Sequence, residues 1–153
     1  RYEVKEQGWR YHMSDINAAI GRAQLSRFKQ LSKKRKILSK HYEKILSKNN
    51  KIFKIIKRDF SKEVPHIYCV IVKNLKKRGL LVKDLVKQNV QLGTHYYPGY
   101  KVKYYKKPKK FFPNVEKIYD KVITLPLHPD LNVKDLDLIV KKIKKSLNKK
   151  IYF

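Results

Sequence analysis

An uninterrupted helical repeat over residues 14–47 limits what this chain can fold into more than any other feature of the sequence. Ser14 is a typical N-cap, and Asp15 follows in the first turn, where the helix dipole favours an acid. Apolar residues then recur at helical spacing with no proline among them, and they include Ile16, Ile20, Phe28, Leu31, Leu38, Tyr42 and Ile45. At a rise of 1.5 Å per residue the helix would be about 50 Å long. Because that exceeds the width of a domain of 153 residues, we expect the helix to lie along a larger body.

The remaining sequence alternates between short strand and helix patterns. β-Branched and aromatic runs predict strands at residues 52–57, 66–72, 90–96 and 122–125. Helical spacing predicts short helices at residues 80–86 and 114–121 and a last helix that starts at Asn132, while residues 101–110 form a basic loop. This order predicts an α+β fold, in which a small, mostly antiparallel sheet is covered by helices.

The net charge of +27 suggests polyanionic partners, but its composition argues against them. Lysine and arginine total 39 against 12 acids, and only seven of the 39 are arginine. Proteins that bind nucleic acid rely on arginine for bidentate contacts. The dispersed lysines therefore favour a compositional bias with lysines on solvent-facing surfaces, and nucleic acid is not the expected partner. A basic module that binds nucleic acid or an anionic surface remains the alternative.

Several kinds of site are not indicated by the sequence. A single cysteine, Cys69, excludes an internal disulfide and a multi-cysteine zinc site. The five histidines show no metal-ligand spacing, so no metal site is expected, and the glycine-rich nucleotide and hydrolase motifs are absent. No apolar run approaches the roughly 18 residues of a membrane span, and no secretory leader is visible, so we expect no membrane association.

Two segments carry residues suited to ligand binding. Residues 8–13 (GWRYHM) place an arginine between aromatic residues just before a helix, an arrangement that suits a phosphate. Residues 93–98 (GTHYYP) place a histidine and two tyrosines at a strand end, where they can line a polar pocket. On chemistry alone, the first segment is equally open to a structural interpretation, as aromatics that pin a helix end. For the second, composition favours an aromatic turn that packs on the core.

These segments resemble motifs of the DegT/StrS family of pyridoxal-phosphate-dependent aminotransferases, which act on nucleotide-linked keto-sugars. Residues 8–25 (GWRYHMSDINAAIGRAQL) resemble the start of that family's C-terminal domain, and residues 93–98 and 125–131 (LPLHPDL) resemble later motifs in the same order. The resemblance covers about residues 2–147. It implies the small C-terminal domain of an aspartate-aminotransferase-like, fold-type I enzyme, without the large cofactor domain. Residues 1–13 would be a leader that contacts the dimer partner, residues 14–47 the long helix, and residues 52–147 the α+β layer.

The resemblance also implies roles for individual residues. Arg10 stands where family members commonly have an asparagine that reaches the cofactor phosphate of the neighbouring subunit, so it is expected to bind the cofactor. Tyr11, His12, His95 and Tyr96 match positions on the substrate side. The Schiff-base lysine of the family lies in a serine-rich stretch of the large domain, which has no counterpart here. No catalytic residue is therefore assigned, and the chain alone is expected to be inactive.

The partners that the resemblance implies are those of the parent enzyme. They are pyridoxal 5'-phosphate, a nucleotide-linked keto-sugar, an amino-acid donor expected to be glutamate, and a second copy of the chain in a homodimer. The setting would be cytoplasmic polysaccharide or amino-sugar biosynthesis. An inactive remnant of such an enzyme is the second alternative.

Overall fold

The computed structural model describes residue 3, residues 5–105 and residues 112–149. This part of the chain forms helices and strands in the order α1 (Asp15–Ser47), β1 (Phe53–Ile55), β2 (Tyr68–Val72), α2 (Arg78–Val86), α3 (Pro113–Ile118), β3 (Val122–Leu125) and α4 (Val133–Leu147). Single 3₁₀ turns occupy Gly99–Lys101, Lys103–Tyr105 and Tyr119–Lys121. The predicted basic loop falls partly on these turns, and its residues 106–110 lie outside the described residues.

The three strands form one antiparallel sheet with β2 in the centre. Val70 of β2 lies opposite Ile55 of β1 on one side and Ile123 of β3 on the other. Tyr68, Val70 and Val72 are buried while the residues between them are half-buried, the alternation expected when a sheet packs one face on a core. The predicted α+β class with a small antiparallel sheet is confirmed.

The strand predicted at residues 90–96 is wrong. Only Gly93 pairs with the sheet, where its N–H and C=O exchange hydrogen bonds of 2.9 Å with Thr124 of β3. Val90 and Leu92 are buried in the core but form no backbone hydrogen bonds with a strand. The alternation of apolar residues in this segment therefore reflects burial in the core and not strand pairing. Strands β1 and β2 are also shorter than predicted, and the predicted helix 114–121 ends in a 3₁₀ turn after Ile118.

The start signals of the two long helices are confirmed. The Ser14 hydroxyl accepts a hydrogen bond from the Asn17 backbone N–H at 3.3 Å. Asn132 and Asp135 form a capping box, in which each side chain accepts from the other residue's backbone N–H. Both caps satisfy N–H groups that the helix itself leaves unpaired.

The C-terminal half of α1 packs against the sheet and α4 to form the core. Leu38, Tyr42 and Leu46 of α1 are buried with Leu136 and Ile143 of α4 in one apolar cluster. The Tyr42 hydroxyl donates a 2.9 Å hydrogen bond to the carbonyl of Pro126, just beyond β3. Burial, followed by the neighbouring Tyr68, raises the pKa of Tyr42 above its ordinary value, so the hydroxyl remains protonated and continues to donate.

The N-terminal half of α1 extends beyond this core. From Asp15 to Gln30 every residue is exposed except the half-buried Ala18, a length of about 24 Å at 1.5 Å per residue. The exposed residues include large apolar side chains, among them Ile16, Ile20, Leu25 and Phe28. Nothing lies within 4 Å of the position that a Gly21 Cβ would take. This half of the helix therefore presents an uncovered apolar surface.

We expect truncation of a leucine side chain to alanine to destabilise the protein in one half of α1 and to have almost no effect in the other half. Leu46→Ala removes a fully buried side chain and should lower the free energy of unfolding by about 2–5 kcal/mol. Leu25→Ala removes a side chain that is 73% exposed and should change it by less than about 0.5 kcal/mol. Urea unfolding followed by circular dichroism measures both. A large loss from Leu25→Ala would show that residues 15–30 pack on the body in solution.

Candidate functional site

Residues 8–13, just before α1, are exposed. Trp9 and Tyr11 are 84% and 86% exposed, and Arg10 and His12 are exposed as well. None of these four side chains makes a hydrogen bond, ion pair or ring contact with the described residues. Their aromatic faces and positive charge are therefore available to a partner outside the part of the chain described here.

The second predicted group centres on His95, which β3 holds in place. Its Nδ1 lies 3.0 Å from the Oγ1 of Thr124, and the Sγ of Cys69 lies 3.3 Å from the same hydroxyl. Thr124 is only 5% exposed, so the hydroxyl has little access to water and is satisfied by these neighbours. The Tyr96 ring stands edge-on to the His95 ring at 4.9 Å between centroids and is itself largely exposed.

Gly93 makes the position of the His95 ring possible. A Cβ on Gly93 would lie 2.6 Å from Cε1 and 3.0 Å from Nδ1 of His95, and 3.3 Å from Cβ of Thr124. The imidazole therefore packs directly on the glycine Cα. The glycine that interrupts the predicted strand is thus required for close approach of a side chain rather than for a special backbone conformation.

His95 lies between two cavities. One has a volume of about 290 Å³ and is bounded by α1, the residues that lead into β2, residues 91–95 and the end of β3. The other, of about 170 Å³, lies between residues 94–98, α2 and α3. Tyr96 lines only the smaller one. Arg10, Tyr11 and His12 line neither cavity, so the chain holds two separate groups of predicted site residues.

Arg35 is a cavity residue that the sequence did not reveal. Arg35 lies in a lysine-rich stretch of α1 and is half-buried. Its Nη1 donates hydrogen bonds of 2.9 Å to the carbonyl of His66 and 3.1 Å to that of Leu127. Arg35 thereby ties α1 to the residues before β2 and after β3. The sequence feature that could have indicated this role is the arginine that interrupts a run of lysines at residues 33–36, because a guanidinium can donate several hydrogen bonds at once.

The segment after Pro98 is fastened to α3. The Tyr100 hydroxyl donates to Oε1 of Glu116, and the Nζ of Lys101 lies 2.9 Å from the same oxygen. The contact with Glu116 raises the pKa of Lys101. The pKa of Tyr100 is raised mainly by burial and, to a lesser extent, by its hydrogen bond to Glu116. Tyr100 also stacks on Phe112 at 4.4 Å between ring centroids. Tyr100 and Lys101 thus have a structural role in this chain.

Each described lysine is exposed or half-buried in this part of the protein. Within residues 5–105 and 112–149, no three His, Cys, Asp or Glu side chains form a group that could hold a metal ion. The helices described are also too short or too polar to cross a bilayer.

Comparison with known proteins identifies the family. Residues 1–144 match the DegT/DnrJ/EryC1/StrS aminotransferase family. The chain belongs to this family. The uncharacterized protein MJ1066 of Methanocaldococcus jannaschii is 32% identical over 94% of the chain, and a UDP-4-amino-4,6-dideoxy-N-acetyl-beta-L-altrosamine transaminase of Campylobacter jejuni is 27% identical over 94%.

Solved structures of sugar aminotransferases share the fold of this family member. The PMP-form of the putative sugar aminotransferase Spr1654 from Streptococcus pneumoniae matches 97% of the chain with a TM-score of 0.86 and 24% identity. PseC of Helicobacter pylori, an aminotransferase in pseudoaminic acid biosynthesis, matches 95% with a TM-score of 0.79 and 26% identity. The fold is therefore that of part of a fold-type I enzyme. The chain spans only about two fifths of the length of these relatives.

Replacing Gly93 tests how this family member positions His95. Gly93→Ala should displace the imidazole and break its contact with Thr124, at a cost of about 1–3 kcal/mol in the free energy of unfolding. The His95 ring resonances in NMR spectra and urea unfolding report the two effects. Gly79→Ala is the matched control, because open space surrounds that position in α2. An unchanged His95 spectrum in Gly93→Ala would contradict the packing described.

Proposed function

We propose that this chain is the small C-terminal domain of a pyridoxal-phosphate-dependent aminotransferase that transfers an amino group to a nucleotide-linked keto-sugar. The amino donor is glutamate, and the product enters cytoplasmic polysaccharide or amino-sugar biosynthesis. Family membership supports the reaction class, and the relatives include enzymes named for sugar-nucleotide transamination and for spore coat polysaccharide biosynthesis.

The observation that carries this proposal is the uncovered half of α1 with its leader. A self-contained domain buries the apolar face of a long helix, but residues 15–30 bury almost nothing within the described chain. A surface of this kind marks an interaction site. We infer that a large cofactor domain and a second subunit cover it, and that residues 1–13 contact the dimer partner.

Arg10 fits the phosphate of the cofactor. Its guanidinium is exposed and has no acidic partner among the described residues, and a guanidinium binds phosphate through paired N–H donors. Pyridoxal phosphate supplies the electron sink for amino transfer when a lysine of the large domain holds it. In a homodimer, Arg10 of one protomer would hold the phosphate at its partner's site, with Tyr11 and His12 beside the substrate.

His95 and Tyr96 form the contribution of the folded body to substrate binding. The Thr124 hydroxyl occupies Nδ1 of His95, so Nε2 is the ring nitrogen left for a ligand. The exposed Tyr96 offers an aromatic face and a hydroxyl beside it. These groups bind and orient a polar substrate, and proton transfer at the reacting carbon is assigned to the large domain.

A chimera tests whether this chain needs a large cofactor domain for aminotransferase activity. We expect the 153-residue chain alone to show no turnover of a nucleotide-linked keto-sugar with glutamate and pyridoxal phosphate. When the chain replaces the matched two fifths of the Campylobacter jejuni transaminase, activity should appear. Arg10→Ala in that chimera should weaken cofactor binding by roughly tenfold or more, because a charged hydrogen bond is worth about 1.5–3 kcal/mol. Cofactor absorbance and product formation report the two quantities.

The matched control is Lys76→Ala in the same chimera, which removes an exposed positive charge between β2 and α2, outside both the leader and residues 15–30. Turnover by the chain alone would contradict the proposal. A folded, dimeric chimera that binds the cofactor equally well with Arg10→Ala would contradict the role of Arg10.

A further inference from the structure

We propose that the 290 Å³ cavity beside His95 binds a small oxyanion, a carboxylate or phosphate group, with Arg35 as its charged anchor. The cavity lies between α1, the start of β2 and the end of β3. Its use for the amino donor rests on the proposed function above, whereas its affinity for an anion does not.

The charge of the lining favours an anion. Arg35 and two histidines, His66 and His95, line the cavity, and none of the described residues that line it is acidic. No carboxylate of the described residues lies within ion-pair distance of Arg35. The half-buried guanidinium can therefore pair with an oxyanion from solution.

The hydrogen-bonding capacity of Arg35 is only partly used. Both of its hydrogen bonds, to the carbonyls of His66 and Leu127, come from Nη1. Guanidinium carries five N–H donors, so Nε and Nη2 have no partner in the described part of the chain. The two carbonyls fix the guanidinium in place, and the remaining donors suit a bidentate oxyanion.

Neutral donors complete the site. The hydrogen bond between Nδ1 of His95 and Thr124 orients the imidazole and leaves Nε2 unpaired among the described residues. The side chains of His66 and Gln91 are exposed and likewise have no hydrogen-bond partner within those residues. The cavity therefore combines one fixed cation with several neutral groups that can donate to an oxyanion.

The volume of the cavity fits a small anionic group. Ligand pockets usually measure about 300–1,000 Å³, and this one is at the lower limit. A carboxylate or a single phosphate group is therefore compatible with both the volume and the charge of the cavity.

Histidine resonances provide the direct test on the 153-residue chain. Glutamate and inorganic phosphate are titrated separately at constant ionic strength, and the ring protons of His66 and His95 are followed by NMR. We expect saturable shifts of both rings. Saturation by glutamate alone identifies a carboxylate site and saturation by phosphate alone a phosphate site, and either supports the proposal. Absence of saturation with both probes overturns it.

Gln91→Glu tests the role of Arg35 without disturbing its structural hydrogen bonds. Gln91 is exposed and near-isosteric with glutamate, so the variant should fold with an unchanged thermal midpoint. The introduced carboxylate would pair with Arg35 and weaken anion binding by at least about tenfold. Gln24→Glu, on the exposed half of α1, makes the same charge change outside the cavity and should leave binding unaltered.

Equal affinities in wild type and Gln91→Glu, or an equal loss in Gln24→Glu, would overturn the proposal. If the Arg35→Gln variant folds, it should no longer bind the anion. The Gln91→Glu experiment does not depend on whether Arg35→Gln folds. These titrations measure binding rather than turnover. A chimera that turns over substrate while this cavity binds no anion would therefore refute the site and leave the proposed function intact.

Discussion

The burial of the C-terminal half of α1 determines most of the structure. Leu38, Tyr42 and Leu46 bring that half against the sheet and α4. Tyr42 and Arg35 of the same helix then fix the carbonyls of Pro126 and Leu127 beyond β3. Because α1 is one continuous helix, its anchored half also directs residues 15–30, and residues 8–13 before them, away from the core. One packing interface thus both builds the cavity and presents the surface that other parts of an aminotransferase would cover.

Strand β3 connects the core to His95. Thr124 pairs with Gly93 through the backbone and with His95 through its hydroxyl, so one buried strand residue positions both. Gly93 leaves room for the imidazole to pack on its Cα. The geometry of the cavity therefore depends on the sheet and the core rather than on the exposed segments around it.

Local signals in the sequence predicted much of the fold. The Ser14 and Asn132 caps marked the starts of the two long helices, and β-branched runs located β2 and β3, because these signals act over a few residues. The strand predicted at residues 90–96 failed because burial of Val90 and Leu92 imitates strand alternation without ladder hydrogen bonds. Arg35 was missed because its partners are 31 and 92 residues away in the sequence. The motif resemblance identified the family, whereas the roles assigned to Arg10, Tyr11, His12, His95 and Tyr96 remain predictions.

Amide hydrogen exchange along α1 most directly tests the claim that this chain is part of a larger enzyme. In dilute solution of the chain alone, amides of residues 18–30 should exchange rapidly, because a helical segment without tertiary contacts is marginally stable, while those of residues 38–46 should be strongly protected. In the chimera with the large domain of a relative, both segments should be protected. Strong protection of residues 18–30 in the monomeric chain would contradict the claim.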